Sequence, residues 1–204
     1  MSLNQLLEIL ADGQFHSGEQ LGTQMGISRS AVWKQLKKLQ EIGVDYYSVK
    51  GRGYRIPGGL DLLCIERFAD GLETEVAAQL QSIDIQLTTD STNRLAMDGI
   101  SEGRGQGNLY VAERQLSGRG RRGRTWISPF ARNLYFSLSW TFTEGAAALE
   151  GLSLAVGLAI SRGLESTGVR GCQLKWPNDL LYDGRKLGGI LLEMTGDASG
   201  VCQV

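Results

Sequence analysis

The sequence has few of the residues that form covalent cross-links or transition-metal sites. Its 204 residues include three cysteines, which lie far apart and form no CxxC pair, and a single histidine, His16. The odd number and wide spacing of the cysteines argue against a disulfide framework and against a zinc site, so we interpret them as reduced, mostly structural thiols. Because the one histidine precedes a helix start, far from the charged motifs described below, no histidine is available for acid–base catalysis.

Long apolar runs and an excess of positive charge are also missing. The most apolar window, residues 151–160, is much shorter than the roughly 20 residues that cross a bilayer, and we expect it to form a buried helix. The N-terminus has no basic segment of the kind found in secretory signals. These absences predict a cytoplasmic protein with no membrane segment. The formal net charge is -1, so any surface that binds nucleic acid must be local.

The length favours two domains, and the first is predicted to contain three short helices. Leucines at helical spacing indicate a helix over residues 3–10. Ser17 and Gln20 have the capping-box pattern that starts a second helix. Ser28 is placed to cap a third helix, which ends at Gly43. The tight turn between the last two helices is typical of a helix-turn-helix.

The third helix and the segment after it carry local positive charge. Between residues 29 and 55 there are seven Lys or Arg residues against two acids. Strand-like stretches at residues 46–49 and 54–56 flank a Gly-Arg-Gly tip and predict a hairpin, or wing. This order predicts a winged helix-turn-helix DNA-binding domain over residues 1–57; the alternative is a three-helix protein-interaction module with a solvated basic face. The residues that we expect to contact DNA are Arg29, Ser30, Trp33, Lys34, Lys37 and Arg52.

A different pattern follows Pro57. Two glycines come next, and we place a linker at residues 58–61 and a second domain at residues 62–204. Helical and strand-like stretches are mixed in this second domain, so the predicted fold class is α+β, with a mixed β-sheet and helices. We expect helices at residues 65–81, 93–100 and 146–164. We expect strands at residues 83–88, 109–113, 133–140, 171–176, 180–182 and 186–194, the last two joined by a tight Asp-Gly turn.

The most distinctive segment is the arginine loop, residues 118–126, which reads Gly-Arg-Gly-Arg-Arg-Gly-Arg-Thr-Trp. Glycines let backbone N–H groups converge on a charged oxygen, and arginines supply forked donors that stay charged at every pH. The combination predicts an anion site, with the tryptophan available to stack on a base. A flexible basic loop, or an RGG-like segment that binds nucleic acid, is the alternative, and the neighbouring motifs must decide between them.

Two other motifs accompany the arginine loop. Residues 90–93 read Asp-Ser-Thr-Asn, and residues 175–179 read Lys-Trp-Pro-Asn-Asp, with Lys186 and two glycines shortly after. In combination with the arginine loop, these motifs resemble those of the biotin–protein ligases. With the winged helix in front, the chain is similar to the bifunctional bacterial members of that family, which also repress the biotin operon. The resemblance runs from about residue 3 to the last residue.

The resemblance implies an activity and partners. Family members form biotinyl-5′-AMP from biotin and ATP with Mg²⁺, release pyrophosphate, and transfer the biotin to a lysine of a biotin carboxyl carrier protein. The implied catalytic domain is biotin/lipoate ligase-like and class II synthetase-like, with no tightly bound prosthetic group. The resemblance also implies binding to operator DNA as a homodimer that biotinyl-AMP promotes. Because a carboxylate attacking an α-phosphate is an anion meeting a polyanion, catalysis should consist mainly of charge neutralisation and alignment.

The resemblance also assigns residues. Arg121 and Lys186 are expected to be catalytic, and Asp179 is a candidate Mg²⁺ ligand, although an Asn-Asp pair after proline is also common in turns. Hydroxyl and amide groups among the expected binding residues suit the ureido ring of biotin, which needs both donors and acceptors. The residues expected to bind biotin or the adenylate are Ser91, Thr92, Asn93, Gln115, Gly118, Arg119, Gly120, Arg121, Arg124, Trp126, Asn178 and Lys186.

The chain departs from the family pattern at its C-terminus. The family continues through a glycine-rich, asparagine-containing segment and a small C-terminal β-barrel, which this sequence lacks. The sequence stops at Val204, inside a strand that starts at Val201, and an unpaired apolar strand end is an unusual terminus, so we expect a fragment. Two other functions stay open. One is a DNA-binding regulator that senses biotinyl-adenylate without efficient catalysis, and the other is a lipoate-type ligase of the same fold.

Overall fold

The computed structural model describes residues 3–197 and 200–204. The first two residues of the predicted N-terminal domain, and residues 198 and 199 of the predicted C-terminal domain, lie outside the described residues. The N-terminal part contains the three predicted helices, at the expected places. They are α1 (Leu3–Leu10), α2 (Gly18–Met25) and α3 (Arg29–Glu41).

Both predicted helix caps form. The Ser17 hydroxyl accepts a hydrogen bond from the backbone N–H of Gln20 at 3.1 Å, while the Gln20 side chain accepts one from the Ser17 N–H at 2.8 Å. The Ser28 hydroxyl accepts from the N–H of Ala31 at 3.3 Å. These bonds satisfy donors that a helix start would otherwise leave unpaired. The helices then bury one apolar stripe each, with no exposed surface on Leu6, Leu7, Leu10, Leu21, Val32, Leu36 and Leu39.

The predicted wing is also present, as an antiparallel pair of β1 (Tyr47–Val49) and β2 (Gly53–Arg55). The backbone of His16 adds a bridge to Tyr54, with N···O distances of 2.9 and 2.8 Å. Gly53 has a φ of 103°, and a Cβ there would lie 2.1 Å from the His16 carbonyl oxygen. Only glycine allows the backbone at residue 53 to lie this close to His16, and this contact holds the wing against the segment before α2.

The second half begins with two short helices, α4 (Ile65–Asp70) and α5 (Thr74–Ala77), within the predicted helical region. Its first sheet has three strands in the order β3, β4, β5, the first pair parallel and the second antiparallel. A parallel pair needs a crossover, and α6 supplies it. The members are β3 (Ser82–Gln86), α6 (Thr92–Ser101), β4 (Asn108–Ala112) and β5 (Tyr135–Ser139).

Two further three-stranded sheets complete the described part of the second half. One is β7 (Gln173–Lys175), β8 (Asp179–Tyr182) and β9 (Arg185–Gly189), all antiparallel. The predicted Asp-Gly turn joins its last two strands, with φ of 51° at Asp183 and 70° at Gly184, as a type I′ turn requires. The other sheet has the order β10, β11, β6, with β6 (Thr141–Phe142), β10 (Thr195–Gly196) and β11 (Cys202–Gln203).

The long helix expected at residues 146–164 is interrupted. A 3₁₀ turn at Ala146–Leu149 is followed by Gly151, whose φ of 76° separates it from α7 (Leu152–Ser166). The expectation that this region is buried is wrong, because Leu154 and Leu158 are 41% and 45% exposed. The helix instead packs through its small Gly157, where a Cβ would lie 2.9 Å from Leu174.

One segment passes a length and composition test for a membrane span. It is Ala146–Ser166, with 21 residues, a mean hydropathy of 1.3 and 11% of the tested window buried. The break at Gly151 divides this segment in the fold. The continuous helix α7 is therefore about 22 Å long, against a hydrocarbon core of about 30 Å.

The expectation of an unpaired last strand is also wrong. Strand β11 is the central strand of its sheet, between β10 and β6, and Cys202 is fully buried. Beyond it, Trp140 and Val204 exchange two backbone hydrogen bonds of 2.9 Å. The C-terminal residues are thus paired within the chain, because the segment after β5 turns back alongside them.

The hydrophobic core of the N-terminal half includes residues from the second half. Phe130, which follows the arginine loop in the sequence, is 4% exposed and belongs to the same cluster as the leucines of α1, α2 and α3. Leu87 and Ala131, also from the second half, pack against that cluster. The guanidinium of Arg114 donates to the Glu41 carbonyl at 3.4 Å across the same boundary. The N-terminal core is therefore completed by a residue from the second half.

A buried acid fixes the start of the second half beside this boundary. Glu113, immediately after β4, is 2% exposed, and its carboxylate accepts a hydrogen bond from the N–H of Leu63 at 2.6 Å. Burial raises the pKa of this carboxyl above its ordinary value of 4.5. The bond from Leu63 opposes that rise, and the negative charge of Asp61 adds to it. The carboxylate form of Glu113 is thus disfavoured by folding.

We expect Phe130→Ala to lower the free energy of unfolding by about 3–5 kcal/mol, since it empties a site in the shared core. Urea unfolding followed by far-ultraviolet circular dichroism measures this. Phe136→Ala is the matched control, because Phe136 is 44% exposed and its truncation should cost less than about 1 kcal/mol. An equal decrease in the free energy of unfolding of the two variants would show that Phe130 is not a core residue.

Glu113→Gln should remove a pH dependence of stability. A raised folded pKa means that the folded protein holds its proton more tightly than the unfolded chain, so wild-type stability falls as pH rises above 4.5. The Gln variant has no proton to lose there, and its stability relative to wild type should therefore increase between pH 4 and pH 7. Each unit of raised pKa corresponds to about 1.4 kcal/mol. Urea unfolding at several pH values measures the difference, with the exposed Glu150→Gln as a control that should run parallel to wild type.

Candidate functional site

The N-terminus of α6 lies at the centre of a buried polar group. Ser91 and Thr92 are each 4% exposed. The backbone N–H and the hydroxyl of Thr92 both donate to the side-chain oxygen of Gln115, at 2.8 and 3.1 Å. Gln115 is held in place by a backbone bridge to Thr89. A helix start with free N–H groups and a positive dipole end favours polar or anionic partners.

Two residues that the sequence reasoning missed extend this group. Ser137, on β5, has its hydroxyl 2.9 Å from the Thr92 hydroxyl and 3.3 Å from the Asn93 side-chain oxygen, and it can donate to either. The Asn93 amide donates to the carboxylate of Glu193. A serine alternating with apolar residues on a strand was the only sequence signal for Ser137, and nothing in the sequence pattern marked Glu193. We call Ser91, Thr92, Asn93, Gln115 and Ser137 the helix-end cluster.

The arginine loop is folded as a small hairpin. The N–H of Trp126 donates to the Gly118 carbonyl at 2.8 Å, and the N–H of Gly120 donates to the Arg124 carbonyl at 2.7 Å. The tip is a 3₁₀ turn in which Arg122 has a φ of 59°. This ordered geometry favours the anion site over a flexible basic tract, because backbone bonds close the loop on itself.

The second motif and Lys186 form another group beside the loop, which we call the hairpin cluster: Trp126, Asn178, Asp179 and Lys186. The Lys186 ammonium lies 2.7 Å from the Asp179 carboxylate and 5.0 Å from the centre of the Trp126 ring. Asn178 donates to the Ile190 carbonyl at 2.8 Å. A Cβ on Gly189 would lie 3.3 Å from both Lys186 and Trp126, so the glycine permits this close packing.

The arginine loop connects the two clusters. Arg119 reaches the helix-end cluster through Glu193, with a guanidinium-to-carboxylate distance of 3.5 Å. Arg121 reaches the hairpin cluster, where its guanidinium donates to the Asn178 side-chain oxygen at 3.3 Å. The loop thus presents one arginine to each side of the candidate site.

Three residues expected to bind the ligand, Gly118, Gly120 and Arg124, take part in the packing and closure of the loop. Gly118 packs beside the site, since a Cβ there would lie 3.1 Å from the Gln115 amide nitrogen. Gly120 and Arg124 close the loop through their backbone groups. The side chain of Arg124 is exposed to solvent, so its expected role in binding stays a prediction.

The candidate Mg²⁺ ligand, Asp179, is paired with Lys186. In the described part of the chain, no group of three or more His, Cys, Asp or Glu residues could hold a metal ion on its own. Mg²⁺ commonly uses one or two carboxylates together with substrate phosphates, and the partly buried carboxylate of Asp179 beside a basic loop fits that arrangement. The role of Asp179 therefore stays a prediction about the complex with nucleotide.

The six residues expected to contact DNA are all exposed, on α3 and the wing tip. The Lys37 ammonium lies 3.8 Å from the centre of the Trp33 ring, a cation–π contact that holds both side chains on the outer face of α3. At the wing, the guanidinium groups of Arg52 and Arg55 lie 4.2 and 4.8 Å from the ring centre of Phe15. The sequence did not predict this contact of Phe15 with the wing, because no motif marks Phe15.

Models of known protein families match both halves of this chain. A model of the Biotin/lipoate A/B protein ligase family matches residues 86–204, and an HTH domain model matches residues 2–55. The Bifunctional ligase/repressor BirA of Salmonella typhimurium is 45% identical over 98% of this chain and 60% of its own length. The protein of the same name from Escherichia coli is 43% identical over the same shares.

The chain spans about 60% of the length of these curated relatives. Among solved structures, a biotin protein ligase from Leishmania major in complex with biotinyl-5-AMP is 29% identical, with a TM-score of 0.49, over 60% of this chain and 55% of that one. The ligase family model covers more than half of the chain. The matched residues include the arginine loop, both clusters and the three sheets of the second half, apart from the first four residues of β3. This chain therefore belongs to the Biotin/lipoate A/B protein ligase family, with a helix-turn-helix domain at its N-terminus.

Proposed function

We propose that this protein activates biotin with ATP to biotinyl-5′-AMP and transfers biotin to a specific lysine of a biotin carboxyl carrier protein. We also propose that the adenylate-bound homodimer binds operator DNA and represses biotin synthesis genes. One observation carries the proposal: the arginine loop reaches both clusters at once, through Arg119 and Arg121. A ligand with a ureido ring at one end and a nucleotide at the other suits a site divided in this way. Because the proposed function uses ATP and DNA, the proposed location is the cytoplasm.

The clusters suggest how the ligand is held. In the helix-end cluster, Gln115, Thr92 and Asn93 offer donors and acceptors at a helix start, which suits the ureido ring. In the hairpin cluster, Trp126 offers an aromatic face for adenine, and Asn178 a polar group for the nucleotide. Ser91 would line the biotin site beside these residues. The loop from Gly118 to Arg121 would enclose the acyl phosphate, and Arg124 is a further residue expected to bind the adenylate.

The chemistry then follows from charge. A carboxylate oxygen of biotin attacks the α-phosphorus of ATP, the bond to the bridging oxygen of the β-phosphate breaks, and pyrophosphate leaves. Arg121 and Lys186 offset the negative charge that gathers around the phosphorus, so that two anions can meet. Asp179 is the residue that would hold Mg²⁺, an ion that would supply positive charge to offset the negative charge of the phosphates. The neutral amine of the carrier lysine next attacks the acyl carbon, loses a proton, and expels AMP as the amide forms.

Arg121→Ala should reduce the formation of biotinyl-AMP by roughly 100- to 1000-fold, the range found when one donor to a developing charge is removed. The measurement is the yield of adenylate and pyrophosphate from biotin, Mg²⁺ and ATP labelled at the α-phosphate. Arg122→Ala is the matched control: it removes one charge from the same loop at a residue outside the assigned site, so it should retain near-normal activity.

The same assay separates the alternatives. A wild-type protein that binds biotin but yields no pyrophosphate would favour the adenylate-sensing regulator. Adenylation of lipoate in place of biotin would favour a lipoate-type ligase. A normal yield from Arg121→Ala would contradict the role assigned to that arginine.

Arg52→Ala should weaken binding to duplex DNA of mixed sequence and lower the slope of log K against log salt by about 1, as expected for one lost phosphate contact. Fluorescence anisotropy at several salt concentrations measures this slope. Arg170→Ala, an exposed arginine of the second half, should leave affinity and slope unchanged. If both variants lost affinity equally, general charge and not the wing would account for binding.

A further inference from the structure

One acidic side chain lies against the helix-end cluster. Glu193 is beyond the end of β9, and its side chain is 32% exposed. The same carboxylate oxygen, Oε2, accepts a hydrogen bond from the Asn93 amide and faces the Arg119 guanidinium at 3.5 Å. This one atom therefore links the start of α6 to the arginine loop.

A carboxylate is an unexpected partner in a site that must receive an anion. Arg119 has a ligand role only if its charge is available to the carboxylate of biotin or to the acyl phosphate. In the structure, Glu193 meets that charge. A second anion entering beside Glu193 would also experience like-charge repulsion, which weakens with exposure to solvent but is not abolished at short range.

We infer that Glu193 is an internal counter-ion of Arg119, which pairs with this arginine until the anionic part of the ligand takes its place at the loop. The inference rests on the proposed function, because it takes biotin as the ligand. Glu193 acts through Arg119 and does not touch the reacting atoms, so it is a positioning residue. Its contact with Asn93 is a separate role, one that a neutral amide oxygen can also fill.

The inference predicts an effect that depends on ligand charge. Binding biotin requires Arg119 to exchange a carboxylate of the protein for that of the ligand, so Glu193 opposes binding. Biotin methyl ester has the same rings and no negative charge, and its binding requires no such exchange. Removal of the Glu193 charge should therefore strengthen the binding of biotin and leave that of the ester unchanged.

The test compares Glu193→Gln with the wild-type 204-residue chain by isothermal titration calorimetry, without ATP. For biotin we expect the Kd to fall by about three- to tenfold, a range set by the modest strength of partly exposed ion pairs. For the methyl ester we expect a change of less than about twofold, because the glutamine oxygen still accepts from Asn93. A purely structural role of Glu193 would shift both ligands together.

Two further variants make the result specific. Glu193→Asp keeps the charge and should keep the wild-type ratio of the two Kd values, which tests the inference even if the Gln variant is unstable. Glu102→Gln is the matched control: Glu102 is another arginine-paired glutamate, 2.7 Å from Arg104 and just past the opposite end of α6. The Glu102→Gln variant should have the wild-type Kd for both biotin and the methyl ester.

The outcomes separate the inference from the proposed function. If Glu193→Gln bound biotin no more tightly than wild type, or bound biotin and the ester more tightly by the same factor, the counter-ion role would be overturned. The proposed function would not be affected. A wild-type chain that binds neither ligand would contradict the proposed function, and the inference would fall with it. A gain confined to biotin, with Glu193→Asp like wild type, supports the inference.

Discussion

The burial of Phe130 sets the relation between the two halves of this protein. Its side chain completes a core whose other buried residues belong to the N-terminal half, yet it lies only four residues after Trp126 of the arginine loop. The backbone on either side is also held, since the Tyr135 hydroxyl donates to the Pro129 carbonyl at 3.1 Å and Ala131 donates to the Glu113 carbonyl at 3.1 Å. The base of the loop is thus part of the helical domain's packing, and its position follows from apolar burial.

The tip of the loop is held by much weaker interactions. Arg119 and Arg121 make long, solvent-exposed polar contacts of 3.5 and 3.3 Å, which contribute little to stability in water. A segment with a rigid base and a weakly held tip can exchange its side-chain partners without disturbing the core. On the proposed function, charged groups that are paired with each other in the site, such as Lys186 with Asp179, would become available when a ligand offers a better partner.

The sequence predicted those features that depend on neighbours in the chain. The caps at Ser17 and Ser28, the buried stripe of α3 and the type I′ turn at Asp183 follow from local rules, and all three are present. Features that depend on distant contacts were missed. The buried face of β5 is the one with Tyr135 and Ser139, whose side chains find hydrogen-bond partners in other segments. Phe15, Ser137 and Glu193 were missed for the same reason.

The geometry also constrains any regulation of DNA binding by the ligand. A ligand can shift the helical domain only by the free energy with which it prefers one arrangement of the loop over another. Because Phe130 holds the base of the loop within that domain's core, an arrangement that strains residues 127–130 is opposed by core packing, whereas one that relaxes them is not. If the proposed function holds, linkage makes the effect reciprocal, and operator DNA would change the affinity for the adenylate by the same factor as the adenylate changes the affinity for DNA. On the proposed function, the short segment between Trp126 and Phe130 is the most direct covalent path for that coupling.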